Sequence, residues 1–184
     1  SEYPSEKLLH QTTKFSETIP PIERFGYQKI EIQLPQINLS TEFLESYANH
    51  RDYPSLCHQS NLSVYLRFGL ISIRKVLKKV MIHEKFLNEI IWREFYSQIM
   101  YHFPHSVQEN FKSNYNRIIW NAPDIYYEKW AKGKTGFPII DAGMIQLNES
   151  GQMHNRVRMI VSSFFTKNLW LDWRIGEAYF AQKL

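Results

Sequence analysis

Val157, Ile160, Val161, Phe164 and Phe165 recur at i, i+3, i+4, i+7 and i+8. That period belongs to a helix with one apolar stripe laid against a core. Punctuation of the same kind runs through most of the chain. Ser72 is the predicted N-cap of a helix beginning at Ile73, and a longer helix runs through about Lys85–His102 until Pro104 stops it. Pro123 fits the first turn of a further helix, which Gly133 ends; Pro138 opens the next and Gly151 closes it. Asp172 caps a last helix that is still running at Leu184, which points to a truncated chain. No repeat, low-complexity tract or convincing set of strands interrupts this pattern, so the predicted fold class is all-α. Residues 1–40, with Pro20-Pro21, Pro35 and a brief alternation over Glu31–Leu34, read as an irregular lead-in or interdomain linker. From Glu42 onward the pattern is helical, which makes 41–184 the domain.

A core of this kind needs apolar mass, and the 184 residues are 43% hydrophobic and 15% aromatic. Five Trp, eleven Tyr and twelve Phe serve either a large helical core or a site for flat ligands. Twenty-two Lys and Arg against eighteen Asp and Glu leave a net charge of +4, which permits binding to a polyanion without demanding it. The single cysteine, Cys57, excludes an internal disulfide and agrees with a reducing compartment. No apolar run approaches the roughly 18 residues of a membrane span, and the N-terminus has no apolar signal core. A soluble protein of the cytoplasm, away from membranes, is therefore expected.

Three segments have residues suited to chemistry. On the helix around Asn155, the residues Asn155, Arg158, Met159 and Ser162 share the face opposite the apolar stripe, beside the basic run His154-Asn155-Arg156-Val157-Arg158. In FLNEIIWREFY, Phe86, Glu89, Trp92, Arg93 and Tyr96 form one broad stripe. It reads either as a Glu89–Arg93 surface pair beside two core aromatics or as an aromatic wall with a carboxylate. The loop Gln59-Ser60-Asn61-Leu62-Ser63 offers hydroxyls and free N–H groups at a helix start, as a phosphate cradle or as plain N-caps. GxGxxG, P-loop and paired-Cys metal motifs are absent, the His residues lack metal-ligand spacing, and no metal is expected.

Taken in order, RDYPSLCHQSNLSVYLRFGLIS (51–72), FLNEIIWREFY (86–96) and WAKGKTGFPIIDAGMIQLNESGQMHNRVRMIVSSFFTKNLWLDWRIGEAYF (130–180) resemble the photolyase and cryptochrome family. The most specific stretch is GKTGFPIIDAGM followed by MHNRVRM. The resemblance covers the chain from about Tyr47 onward and implies a helical domain that holds FAD beside a hole admitting a flipped DNA lesion. By residue, it assigns Tyr47, Ser60, Asn61, Leu62 and Ser63 to the cofactor's phosphates and ribityl chain, and Arg93 to a cofactor contact. Asn155 and Arg158 fall beside the flavin, with Arg158 expected to pair with an acidic residue. Glu89, Trp92, Asn155, Arg156 and Met159 correspond to the lesion pocket of enzymes that repair cyclobutane pyrimidine dimers. Trp120 and Trp173 correspond to the outer and middle members of a tryptophan chain that photoreduces the flavin.

The implied activity is light-driven repair of UV-damaged DNA by electron transfer from excited reduced FAD, with Glu89, Trp120 and Trp173 in the catalytic set. The alternatives are a cryptochrome-like blue-light photoreceptor without repair and a flavin-free helical nucleic-acid-binding module. Some features depart from the family pattern. Phe86 stands where some relatives have Trp, and Gln59 and Asn61 replace the usual Thr and Arg of the phosphate loop. An α/β antenna domain and a segment with two Asp, an Asn and the inner tryptophan are expected in complete members and are not in this sequence. The helical domain is accordingly read as incomplete at its C-terminal end, with FAD held by the full-length, monomeric protein and lost or weakly bound by this piece.

Overall fold

Short-range punctuation decides where each helix starts and stops. The computed structural model describes residues 20–28, 31, 33–56 and 58–184. Two compact units divide the chain, Ser1–Gln36 and Ile37–Leu184. In the first, a 3-10 turn over Ile22–Phe25 is closed by Gly26, whose N–H donates to the Glu23 carbonyl. The irregular reading of 1–19, the alternation at Ile32 and the Cys57 thiol lie outside the described residues.

In the second unit α1 is Thr41–His50, with the Ser40 hydroxyl accepting the Phe43 N–H. Next come α2, Leu62–Arg67, and α3, Ile73–Val80. Ser72 occupies the predicted cap position of α3 with extended backbone, but its hydroxyl makes no capping bond. The long helix α4, Glu84–His102, ends ahead of Pro104 as expected. In α5, Ile125–Ala131, the cap is Asp124, whose carboxylate accepts the Tyr126 N–H. Pro123 therefore sits before the cap, outside the first turn where its spacing to Gly133 suggested it. Pro138 opens α6, Pro138–Ser150, and Gly151 closes it in the left-handed region at φ 66°. Helix α7, Asn155–Ser163, runs into a π-helical turn over Phe164–Asn168. Asp172 caps α8, Trp173–Lys183, by accepting the Arg174 N–H. No strand forms among the described residues, and Asn121 and Leu171 meet in an isolated parallel bridge.

Burial divides into two cores with no shared member. Phe43, Leu44, Leu62, Val76, Val80, Phe86 and Ile90 join α1 to α4. Trp130, Met144, Leu147, Val157, Val161 and Phe165, with their neighbours, join α5 to α8. Trp130 is fully buried, its indole N–H donates to the Val161 carbonyl at 3.3 Å, and its ring lies 4.5 Å from Phe165 and 5.4 Å from Tyr179. One member of the predicted stripe departs from it. Ile160 is 41% exposed, while Val157, Val161 and Phe165, four residues apart, carry the burial. Burial follows the i, i+4 line Val157–Val161–Phe165 alone, which leaves Ile160 at the edge of the buried stripe.

Close approach of α6 to α7 depends on Gly143. A Cβ there would lie 2.5 Å from Val157 Cγ1 and 3.1 Å from Val161 Cγ2, both on buried β-branched side chains. Gly143→Ala should destabilise the fold by about 1–3 kcal/mol despite its better helix propensity. Thermal unfolding should show this as a Tm lowered by roughly 2–4 °C per kcal/mol. An unchanged or raised Tm would mean that the two helices separate without cost.

Candidate functional site

The two cores meet at a polar seam built by the C-terminus of α1, the middle of α4 and the N-terminus of α7. Arg51 follows the last turn of α1 and donates from Nη1 to Glu89 Oε1 on α4. Its Nε lies 3.5 Å from Asp52 Oδ1, the same oxygen that accepts Arg156 Nε at 2.7 Å. Arg156 Nη1 and Asn155 Nδ2 both approach the Met159 sulfur, at 3.7 and 3.9 Å. An unbroken line of contacts thus runs Glu89–Arg51–Asp52–Arg156–Met159–Asn155. The Arg156 hydrogen bond, followed by its charge and that of Arg51, holds the Asp52 carboxyl below the usual carboxylate range.

Glu89 therefore pairs with Arg51, thirty-eight residues away, and not with Arg93 as its helical spacing suggested. The half-buried Glu89 carboxylate meets Arg51 from α1, whereas Arg93, one turn on, is exposed. The broad α4 stripe is split in the same way. Phe86 is in the core, edge-on to Tyr47 at 4.9 Å, but Trp92 is 53% exposed and stacks at 5.8 Å on Tyr96, which is also exposed. Tyr47 lies under the Arg51 guanidinium at 5.5 Å. Burial, with Glu89 adding to it, raises the Tyr47 pKa, so its hydroxyl stays protonated.

At the start of α2, Leu62 is buried, Ser63 is exposed, and Asn61 takes a left-handed conformation at φ 56°. The Ser60 hydroxyl reaches the Leu62 N–H only at 3.5 Å, and its carbonyl accepts the Asn38 N–H. Arg158 is not on a solvated face. Its Nη2 donates to the Met153 carbonyl at 3.3 Å, and its buried Nε has no partner among the described residues. Desolvation lowers its pKa.

Trp120 and Trp173 are held by different partners. The ring partner of Trp120 is Trp170, 5.4 Å away, whereas the Trp173 indole donates to Asn110 Oδ1 at 3.1 Å and carries the Arg174 guanidinium at 5.0 Å. Trp170 has φ 55°, a strained region for a bulky residue, and is fixed there by its indole bond to the Ile119 carbonyl and by the Asn121 N–H on its own carbonyl. Arg51, Asp52 and Trp170 were not singled out from the sequence, and His154 was named only as part of a basic run. Their roles come from contacts across 38 to 104 residues, for which no spacing rule exists. Among the described residues no group of His, Cys, Asp and Glu is arranged to hold a metal ion, and no helix is long and apolar enough to cross a membrane.

His154 fixes the entry to α7. It is buried, and Nδ1 accepts the Arg156 N–H at 3.2 Å. Burial, then the Arg156 charge, holds its pKa below the ordinary 6.5, against the opposing pull of Asp52 and the Arg51 backbone. A folded pKa below the unfolded one means that the unfolded chain binds more protons in this range, so the contribution is full above pH 6.5 and is lost on acidification below it. Thermal unfolding between pH 7.5 and 5 should show a loss of stability that is smaller in His154→Gln. Equal acid sensitivity in both proteins would remove His154 from that role.

Residues 86–184 match the family model described as the FAD binding domain of DNA photolyase. The deoxyribodipyrimidine photo-lyase of Halobacterium salinarum is 37% identical over 190 residues, 90% of this chain and 40% of that protein. That of Vibrio cholerae is 41% identical over 78% of this chain and 33% of its own length. Among solved structures, a bacterial class III photolyase from Agrobacterium tumefaciens aligns with a TM-score of 0.73 at 38% identity, covering 78% of this chain and 32% of its own. A Synechocystis cryptochrome aligns with a TM-score of 0.66 at 25% identity, covering 93% of this chain and 41% of its own. The chain spans about two fifths or less of the length of these relatives. With its all-helical architecture, the seam between its two cores and this family match, the chain belongs to the DNA photolyase family, as part of the FAD binding domain.

Proposed function

We propose that the complete protein binds FAD and UV-damaged DNA in the cytoplasm, as a monomer, and splits cyclobutane pyrimidine dimers in a light-driven reaction. The observation that carries this reading is the line of contacts from Glu89 to Asn155. It ties together four of the five residues assigned to a lesion pocket, and the fifth, Trp92, is one helical turn from Glu89. Arg51 occupies Glu89 Oε1, which leaves Oε2 to accept an N–H from a pyrimidine edge. The exposed Trp92 face suits stacking on a base taken out of the duplex. Arg156 supplies positive charge for the lesion or its flanking phosphates.

The residues on the cofactor side fit a flavin nucleotide. The buried Arg158 Nε without a partner suits a site completed by an acceptor from outside these residues, since a buried cation left uncompensated is costly. The protonated Tyr47 hydroxyl is a donor suited to phosphate oxygens, with Ser60, Asn61, Leu62 and Ser63 at the start of α2 adding further polar groups. Arg93 and Asn155 complete the set. When bound, reduced FAD supplies the excited-state electron that cleaves the dimer. Trp120 and Trp173 serve as electron donors in photoreduction, on elements apart from Glu89.

Two experiments on the complete protein test these roles. With pre-reduced protein under blue light, Glu89→Ala should lower dimer loss per absorbed photon severalfold while FAD content is unchanged. Trp173→Phe should block photoreduction of the oxidised form and spare repair by pre-reduced protein. A wild-type protein that binds FAD, photoreduces normally and leaves dimers intact is a photoreceptor instead. For binding, Trp92→Ala should reduce the preference for damaged over undamaged duplex by about 1–3 kcal/mol, the worth of one stacked base. Equal weakening on both duplexes would assign Trp92 to the fold alone.

A further inference from the structure

Asp52 has an unusual place in the seam. It is the acid nearest Arg156, its side chain is half exposed, and one oxygen serves two arginines, Arg156 at 2.7 Å and Arg51 at 3.5 Å. Arg156 is 39% exposed and its guanidinium otherwise reaches the soft Met159 sulfur, so among the described residues Asp52 supplies its one strong acceptor. Two arginines, Asp52 and Glu89 sum to zero charge, and the second acid, Glu89, is taken by Arg51. An exposed pair of this kind adds little to stability, and either partner can be exchanged for another ion at small cost. A phosphate oxygen is the natural competitor, because it offers a guanidinium the same planar, charge-assisted bonds that a carboxylate does.

We infer that Asp52 is a specificity-determining residue: it holds Arg156 as its ion-pair partner against undamaged DNA, and it yields Arg156 to a phosphate only when a lesion occupies the neighbouring pocket. This rests on the DNA-repair reading above. In undamaged duplex nothing engages Glu89 or Trp92, so the backbone must displace Asp52 with no other gain, and a carboxylate facing phosphates is repulsive. With a dimer in the pocket, contacts to Glu89 and Trp92 bring the strand to Arg156, and the exchange follows. Discrimination then comes partly from a repulsive group, a recurrent device where attraction alone is unselective.

The test is DNA binding in the dark by the full-length, FAD-containing protein. Matched duplexes with and without one cyclobutane dimer are titrated across a range of salt concentrations. In Asp52→Asn, Arg156 is free for a phosphate on either duplex. One added phosphate contact steepens the log–log salt dependence by about 0.9, so affinity for undamaged duplex should rise about eightfold at 0.1 M salt. Damaged duplex already has that contact and should gain only about twofold, so the affinity ratio falls roughly fourfold. Asp52→Glu, which keeps the charge, should retain the wild-type ratio. In an Arg156→Gln background, Asp52→Asn should relieve the same repulsion on both duplexes and leave their affinity ratio unchanged, since the selective effect runs through Arg156. The inference is overturned if Asp52→Asn keeps the wild-type ratio and slope, if both affinities fall together, or if the change in ratio survives Arg156→Gln. A wild-type protein with no preference for the dimer overturns the repair reading itself, an outcome distinct from a preference that Asp52→Asn leaves intact.

Discussion

Among the described residues no buried apolar side chain belongs to both cores, and polar bonds join α1–α4 to α5–α8. Arg156 to Asp52 ties α7 to the end of α1. Trp173 to Asn110 and Arg174 to the Gln108 carbonyl tie α8 to the segment that follows α4. Hydrophobic burial fixes each half internally but is non-directional. Hydrogen bonds and ion pairs have geometry, and in this fold they set the angle at which one half presents its residues to the other.

A polar seam also leaves its charges accessible. In a sealed interface, the Arg51–Glu89 and Arg156–Asp52 pairs would bear the full cost of desolvation and would be fixed in place. With Asp52 and Arg156 partly open to water, the pairs can exchange partners, which a binding surface requires. Arg158 is the counterexample within the same helix, since its guanidinium is turned inward and has one backbone acceptor. The N-terminal half of α7 thus presents two arginines in opposite electrostatic settings, two residues apart.

Much of the fold was legible in sequence because it is local. Pro104, Pro138, Gly151 and Asp172 act within one turn of themselves, and each ends or starts a helix where its chemistry requires. Pro123 was misjudged by one step, since Asp124 could take the cap and Pro could equally precede it. Pairings across long separations were not legible. Glu89 and Arg93 satisfy the i, i+4 rule, yet tertiary packing gives Glu89 a partner from α1. The Trp120–Trp170 contact spans fifty residues and joins two loops whose periodicity carries no signal. The MHNRVRM stretch placed the cluster on α7 through resemblance, but the part played by His154 emerges only when its ring is seen buried at the helix start, accepting the Arg156 N–H.

The π turn at Phe164–Asn168 carries a consequence for how this segment tolerates change in length. A π turn has one more residue than the α turn it replaces, so everything after it is rotated by about 100° relative to an uninterrupted α-helix. Where the chain leaves the helix, Phe165 and Leu171 both face the second core, while Trp170 between them, in its left-handed conformation, is turned outward. Substitutions here alter one side chain at a time, whereas deletion of a single residue within the π turn would change the direction in which the chain leaves the helix. The surface bearing Trp170 and the capped start of α8 is therefore more sensitive to reading-frame-preserving indels than to point changes, and its register is a matter of residue count.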